Sequence, residues 1–154
     1  MRQERRKAAP SAATLRNRLL ALLATGVLLA FFLPWIDGPQ RLTGLELVAL
    51  ARGRQAEQAE TAFIVAFAAV PLLALLTLAA SLLRQGVRFF GGLCGLVALG
   101  VMAILWLARR AAEPGEAMLA YGAYATGAFG LLLVLAAFGV LRLPSGRPAL
   151  GERR

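Results

Sequence analysis

The sequence contains no histidine and only one cysteine, Cys94, among its 154 residues. Without histidine there is no bis-histidine haem site, no histidine-bearing zinc site and no Ser-His-Asp or Cys-His nucleophile. A single cysteine also excludes an intramolecular disulfide and a Cys-x-x-Cys redox pair. We therefore expect no cofactor, no metal and no catalytic residue, and we predict that the chain is not an enzyme. Cys94 is interpreted as a small packed apolar side chain.

Acidic residues are few, and none lies within the long apolar runs. Eight Asp and Glu residues stand against 17 Lys and Arg residues, which gives a net charge of +9. Ion-coupled transport usually requires an ionisable side chain inside the membrane, so this pattern argues against a proton-driven exporter. The sequence also has no glycine-rich phosphate loop and no aspartate-rich run suited to magnesium.

Four long uncharged runs dominate the sequence, whose mean hydropathy is +0.69. They are residues 19–36, 61–83, 89–107 and 118–141. The shortest run has 18 residues, which as a helix would be ~27 Å long and would nearly cross a hydrocarbon core of ~30 Å. We therefore predict an all-α membrane protein, a four-transmembrane-helix bundle in one domain, 19–141. The first run is too long for a signal-peptide core of ~7–15 residues, so we expect it to remain a membrane helix.

Basic residues are concentrated in three segments that four spans would place on one side of the membrane. The arm 1–18, the connector 84–88 and the tail 142–154 hold 12 of the 17 Lys and Arg residues. Because such residues are retained in the cytoplasm, we expect both termini there, next to anionic lipid. The charge then reflects orientation, and we expect no nucleic-acid partner. The dominance of Arg, Ala, Leu and Gly is typical of GC-rich bacterial genomes and favours a bacterial inner (plasma) membrane.

The first outer connector, 37–60, is the longest soluble segment and is too short to form a core of its own. Its Thr43-Gly44-Leu45-Glu46 motif fits a helix-starting capping box, and we predict a short interfacial helix over about 44–52. Charged and aromatic residues at this end are candidates for an outer recognition surface. These candidates are Trp35, Asp37, Glu46 and Arg109. The alternative interpretation is an aromatic anchor surrounded by solvated charges.

Small residues recur at helical spacing in the last two runs. Such stripes allow another helix to approach closely. The candidates for helix packing are Gly91, Gly95, Gly122, Thr126 and Gly130. The sequence leaves open whether the partner is the third span, the first span or another protein. Pro71 predicts a kink in the second span.

Two motifs carry a resemblance to a group of known proteins. Phe32-Leu33-Pro34-Trp35, followed by the Thr-Gly-x-acid-Leu pattern at 43–47, resembles small bacterial four-helix membrane proteins of unknown function. In that group the first helix ends in Leu-Pro-Trp and the second motif follows in the outer loop. The resemblance covers about a tenth of the chain. It implies the same topology and no particular activity.

Taken together, these patterns favour a non-catalytic accessory or assembly subunit of a larger membrane complex. Its expected partners are the lipid bilayer and other membrane proteins or further copies of itself. The alternative is a homo-oligomeric channel or transporter for a small solute, with Thr126 and Pro71 along its pathway. A third hypothesis is an enzyme acting on lipid at the interface, with Asp37, Glu46 or Arg109 at its site.

Overall fold

The computed structural model describes residues 11–37, 41–53, 58–111 and 118–140, and most of these residues are helical. The helices and strands, in chain order, are α1 (Ala12–Phe31), β1 (Pro34–Asp37), β2 (Leu42–Thr43), α2 (Gly44–Gly53), α3 (Gln58–Leu83), α4 (Val87–Ala111), β3 (Met118–Leu119) and α5 (Tyr121–Ala137).

Three helices are long and apolar enough to cross a membrane. They are Ala12–Phe31, Ile64–Leu83 within α3 and Val87–Arg110 within α4. The prediction of an all-α bundle of four spans is confirmed in part, since the described residues are mostly helical and three helices have membrane-spanning length. Helix α5 is also apolar but has 17 residues, which corresponds to ~26 Å.

Helices α1, α3, α4 and α5 pack side by side around a common core. Helix α1 lies against α3 and α5, and α4 lies against the same two helices. On α1, Leu20, Leu23 and Val27 recur at helical spacing and are buried in this core. Leu22 and Leu29 on the other face are exposed. Helices that are apolar on both faces are typical of membrane spans.

The described bounds of α1 differ from the predicted span 19–36. The helix starts at Ala12, where the Ser11 hydroxyl accepts a hydrogen bond of 3.3 Å from the amide of Thr14. It ends at Phe31, before Pro34, because proline lacks an amide donor and disfavours a helical residue before it. Residues 34–37 are extended, so the protein is mostly helical rather than entirely helical.

A three-stranded antiparallel sheet, which was not predicted, covers the end of the bundle where α1 stops. The strand order is β2-β1-β3. Strand β1 pairs with β2 through Pro34 and Thr43, and with β3 through Ile36 and Leu119. The predicted span 118–141 therefore begins with a strand, and its helix covers Tyr121–Ala137. We call the sheet together with α2 the cap, and the end of the bundle that carries it the capped end.

Helices α3 and α5 finish at the opposite end, and both do so with a Schellman motif. In α5 the amide of Val140 donates to the carbonyl of Leu135 at 3.0 Å, with Gly139 between them at φ 75°. In α3 the amide of Gln85 donates to the carbonyl of Ala80 at 3.1 Å. The left-handed residue there is Arg84, with φ 55°. A residue with a Cβ costs roughly 1–2 kcal/mol in this conformation.

Candidate functional site

The cap is held to the helices by Trp35. The β1–β2 register shifts by one residue between Pro34 and Ile36, so Trp35 stands at an irregularity in the strand. Such bulges redirect a side chain. Here the indole lies in the bundle with 1% of its surface exposed. Its Nε1 donates a hydrogen bond of 3.1 Å to the carbonyl of Ala30, near the end of α1.

An aromatic cluster surrounds this indole. The ring centroid of Trp35 lies 4.7 Å from that of Phe67 on α3 and 5.6 Å from that of Phe31 on α1, both in edge-to-face arrangements. The two phenylalanine rings are 5.2 Å apart. Each aromatic pair of this kind stabilises the fold by about 0.5–1.5 kcal/mol, in addition to the free energy gained by burying apolar area. The cluster therefore joins α1, α3 and the cap into one packed unit.

Two glycines allow the start of a helix to approach this cluster closely. A Cβ placed on Gly122 would lie 2.6 Å from the carbonyl oxygen of Pro34 and 2.9 Å from Cδ1 of Trp35. A Cβ placed on Gly44 would lie 2.6 Å from the carbonyl oxygen of Phe31. Because these neighbours include backbone atoms, a side chain at Gly122 would force α5 away from β1, and one at Gly44 would force α2 away from the end of α1. Gly122 therefore contacts β1, whereas the sequence assigned it to helix–helix packing.

The start of α2 is fixed by the predicted capping box, which the structure confirms. Glu46 Oε2 accepts hydrogen bonds from the amide of Thr43 at 2.7 Å and from its hydroxyl at 2.8 Å. The Thr43 hydroxyl in turn accepts a 3.4 Å bond from the amide of Glu46. These bonds, that from the Thr43 amide first, stabilise the ionised carboxylate and lower the pKa of Glu46 from its ordinary value.

The outer face of the cap carries an ion pair and an exposed apolar side chain. Arg41 Nε lies 3.2 Å from Oδ1 of Asp37, and both side chains are well exposed. Leu45, in the first turn of α2, is 49% exposed. Arg109 is exposed in the last turn of α4, at the same end of the bundle. Its neighbour Arg110 stacks over the ring of Trp106, with its guanidinium carbon 3.8 Å from the ring centroid.

The four residues predicted to form an outer recognition surface therefore have different roles. Asp37 is exposed, although it is paired with Arg41, and Arg109 is exposed. Glu46 is exposed, but its carboxylate is engaged by Thr43. The assignment of Trp35 to a surface or to an interfacial anchor differs from the structure, which buries it. Aromatic residues at the end of an apolar run favour the interface, but the bulge turns this one inward.

The predicted helix-packing residues lie mainly between helices of this chain. A Cβ on Gly95 of α4 would lie 2.5 Å from the carbonyl oxygen of Gly130 on α5. A Cβ on Gly91 would lie 3.3 Å from a methyl group of Leu20 on α1. Thr126 is 1% exposed, and its hydroxyl donates to the carbonyl of Gly122 in its own helix at 2.9 Å.

The interior of the bundle contains few polar side chains. Thr77 and Thr126 are the buried polar residues in the described part of the chain, and each donates to a carbonyl of its own helix. The Cys94 thiol is buried, with Sγ 3.9 Å from the carbonyl oxygen of Val70 on α3. Across the described ranges, no group of three or more His, Cys, Asp and Glu residues could hold a metal.

Sequence reasoning missed Phe31, Phe67 and Gly44 as parts of this site. The aromatic residues are separated by more than thirty positions from one another and stand in uniformly apolar runs, so no local pattern marks them. Gly44 lies inside the capping motif, where its close approach to Phe31 has no sequence signal. Comparisons with protein-family models, curated proteins and solved structures find no match.

Proposed function

We propose that this chain is a four-span integral membrane protein of the bacterial inner membrane and a non-catalytic accessory or assembly subunit of a larger complex. Helices α1, α3 and α4 have spanning length. Helix α5 packs alongside α1 and α4, and so would be the fourth membrane span. With the basic end in the cytoplasm, the cap would face outward and α2 would lie along the outer membrane surface.

The observation that carries the role in a complex is the construction of the cap. Its strands, the start of α2 and the start of α5 are fixed to the helices by Trp35 and by contacts at Gly44 and Gly122 that leave no room for a methyl group. A surface fixed in this way is preorganised, which lowers the entropic cost of binding. It presents the Asp37–Arg41 pair and Leu45 to a partner.

The remaining surface supports the same proposal. Large apolar side chains are exposed along the outside of the helices, as at Leu22, Leu82 and Phe89. Such faces suit lipid or the helices of another membrane protein. The core, by contrast, is filled with apolar side chains and with two threonines bonded to their own helices. The distinctive features of the molecule are therefore on its surface.

The test is purification of the tagged chain from its own host in nanodiscs, with native mass and co-purifying proteins as readouts. We expect a stoichiometric partner. Exchanging the two charges, Asp37→Arg with Arg41→Asp, keeps the pair but reverses its polarity, so we expect the partner to be lost. Since an exposed pair contributes at most about 1 kcal/mol, the fold should survive. Gln85→Ala, which removes an exposed polar side chain at the opposite end, is the control and should retain the partner.

A partner-free monomer in native lipid would contradict the proposed role. A homo-oligomer alone would favour the alternative of a channel or transporter for a small solute. That alternative requires a polar path between copies of the chain. The buried position of Thr126 lends it little support, because a residue in the bundle interior cannot line a path between copies. Flux in liposomes above that of empty controls would nevertheless restore it.

A further inference from the structure

A polar groove lies between α1 and α3 at the end of the bundle opposite the cap. Its volume is about 220 Å³. Its lining combines two guanidinium groups with hydroxyl and amide groups. The lining residues are Thr14, Asn17, Arg18, Ala21, Ser81 and Arg84.

The two guanidinium groups have no acidic partner in the described part of the chain. There the one ion pair joins Arg41 to Asp37, at the capped end. Asp37 and Glu46, the acidic residues whose side chains the structure describes, both lie at the capped end. Two positive charges that line one groove and have no acidic partner among the described residues favour an anion, and the planar donors of arginine fit phosphate oxygens in pairs.

The neutral groups of the groove complement such an anion. The Asn17 amide makes no side-chain hydrogen bond within residues 11–37, 41–53, 58–111 and 118–140, so its two N–H donors are available there. The Ser81 hydroxyl donates to the carbonyl of Leu78 at 2.7 Å. Its position beside Arg84 adds polarity without adding negative charge. None of the lining residues is acidic.

The backbone at Arg84 is the second, independent observation. Arg84 has φ 55° at the position of the α3 Schellman motif that corresponds to Gly139 in α5. Glycine adopts this conformation freely, whereas an arginine is disfavoured by its Cβ. The chain thus keeps a long basic side chain where helix termination alone would favour glycine. Local strain of this kind is characteristic of binding sites.

We infer that the groove binds the phosphate of an anionic phospholipid, held by Arg18 and Arg84. A lipid is the favoured source of the phosphate because apolar side chains flank the groove. Leu22, one turn along α1 from Arg18, is 70% exposed, and Leu83, next to Arg84, is also exposed. They offer contacts to acyl chains. A free phosphate ion would use the guanidinium groups but not these leucines. The inference depends on membrane embedding, not on the proposed accessory role.

The experiment compares the chain in phosphatidylcholine nanodiscs with and without phosphatidylglycerol. The readouts are the melting temperature and the lipid retained in native mass spectra. The decisive variant is Arg84→Gly, which removes one guanidinium and relieves the backbone strain. In phosphatidylcholine alone it should melt no lower than the wild type. Its apparent affinity for phosphatidylglycerol should fall at least about tenfold, which is the loss expected when one charge-assisted hydrogen-bond donor group is removed from a specific site. Arg18→Gln should produce a similar loss.

The control is Arg109→Gln, which removes the same charge at the capped end and should leave lipid retention unchanged. Equal losses in Arg109→Gln and Arg84→Gly would overturn the inference, since attraction would then be general. Unchanged retention in Arg84→Gly would overturn it as well. Inorganic phosphate is the third arm. If phosphate stabilises the wild type in phosphatidylcholine while phosphatidylglycerol does not, a soluble phosphate is the ligand and the lipid assignment is wrong.

Discussion

Substitution of two glycines in the same helix tests how closely α4 and α5 pack. A Cβ on Gly95 would lie 2.5 Å from the carbonyl oxygen of Gly130, 2.8 Å from a methyl group of Val134 and 3.1 Å from Cβ of Leu133. A Cβ on Gly100 would meet no atom within 4 Å. The change Gly→Ala is therefore identical in chemistry at both positions and opposite in its steric consequences.

The expected magnitude for Gly95→Ala follows from these distances. A carbon atom normally lies about 3.3–3.6 Å from a carbonyl oxygen, so the two helices must separate by about 1 Å. A gap of that size forfeits roughly a quarter to a half of each neighbouring dispersion contact. Overpacking of this kind costs about 1–3 kcal/mol. The helix propensity of alanine returns at most about 1 kcal/mol and does so at both positions, so we expect Gly95→Ala to be about 1–3 kcal/mol less stable than Gly100→Ala.

Thermal unfolding of both variants in one detergent measures the difference. A change of 1 kcal/mol shifts the melting temperature by roughly 2–4 °C in a chain of this size. We expect Gly95→Ala to melt about 2–12 °C lower than Gly100→Ala, and no higher than the wild type. Gly100→Ala should melt at the same temperature or slightly higher, since it gains helix propensity without a contact. Equal melting temperatures for the two variants would refute the close backbone contact between α4 and α5.

Three further predictions concern the cap and the core. Trp35→Ala should destabilise the protein by about 3–5 kcal/mol in thermal unfolding. Trp35→Phe keeps a ring but loses the hydrogen bond to Ala30, so it should cost roughly 1–2 kcal/mol. Equal costs for the two variants would show that the ring of Trp35 is not packed. Glu46, whose pKa is lowered in the folded chain, stabilises α2 above its unfolded pKa, and this stabilisation is lost as the pH falls through the folded value. Hydrogen exchange at the start of α2 should accordingly rise in acid, while Glu46→Gln, which can still cap, should abolish that dependence; the same acid response in the Gln variant would assign it to another group. Thr126→Val should leave liposome flux at the level of the wild type, since Thr126 bonds within its own helix, and an altered flux would instead place Thr126 on a pathway.

Features governed by local rules were predictable from the sequence. The capping box depends on a threonine and a glutamate three residues apart, and that spacing fixes its hydrogen bonds. The glycine stripes at Gly91 and Gly95 on α4 and at Gly122, Thr126 and Gly130 on α5 depend only on helical periodicity, whereas the contact of Gly95 with Gly130 could not be inferred from them. Three helices of spanning length follow from long apolar runs, because the signal accumulates over about 20 residues. In each case the information lies within one helix or one turn.

The features that were missed depend on residues distant in sequence. Strands of two and four residues are too short to show an alternating pattern. Strand β3 joins β1 from a position more than eighty residues later, and its partner cannot be inferred from composition. The burial of Trp35 follows from that pairing and from the bulge beside it. Arg84 was missed for another reason, since the rules for helix ends place glycine, not arginine, in a left-handed conformation.

The sheet and the early end of α1 are explained by the same requirement, that backbone groups which leave the helix must find hydrogen-bond partners. Helix α1 has 20 residues from Ala12 to Phe31, a length of ~30 Å that matches a bilayer core. With α1 across the core, residues 34–37 would leave the helix at the edge of the hydrocarbon, where peptide groups out of reach of water are costly unless they are bonded. The pairing of β1 with β2 and β3 supplies those bonds, and the amide of Ala120 adds one to the carbonyl of Trp35 at 2.9 Å. At the other end α1 starts in the basic segment, where the exposed Arg18 can extend toward lipid headgroups. The capped end is thus held mainly by backbone pairing and the basic end by side-chain charge, which is why we expect a macromolecular partner at the first and phosphate at the second.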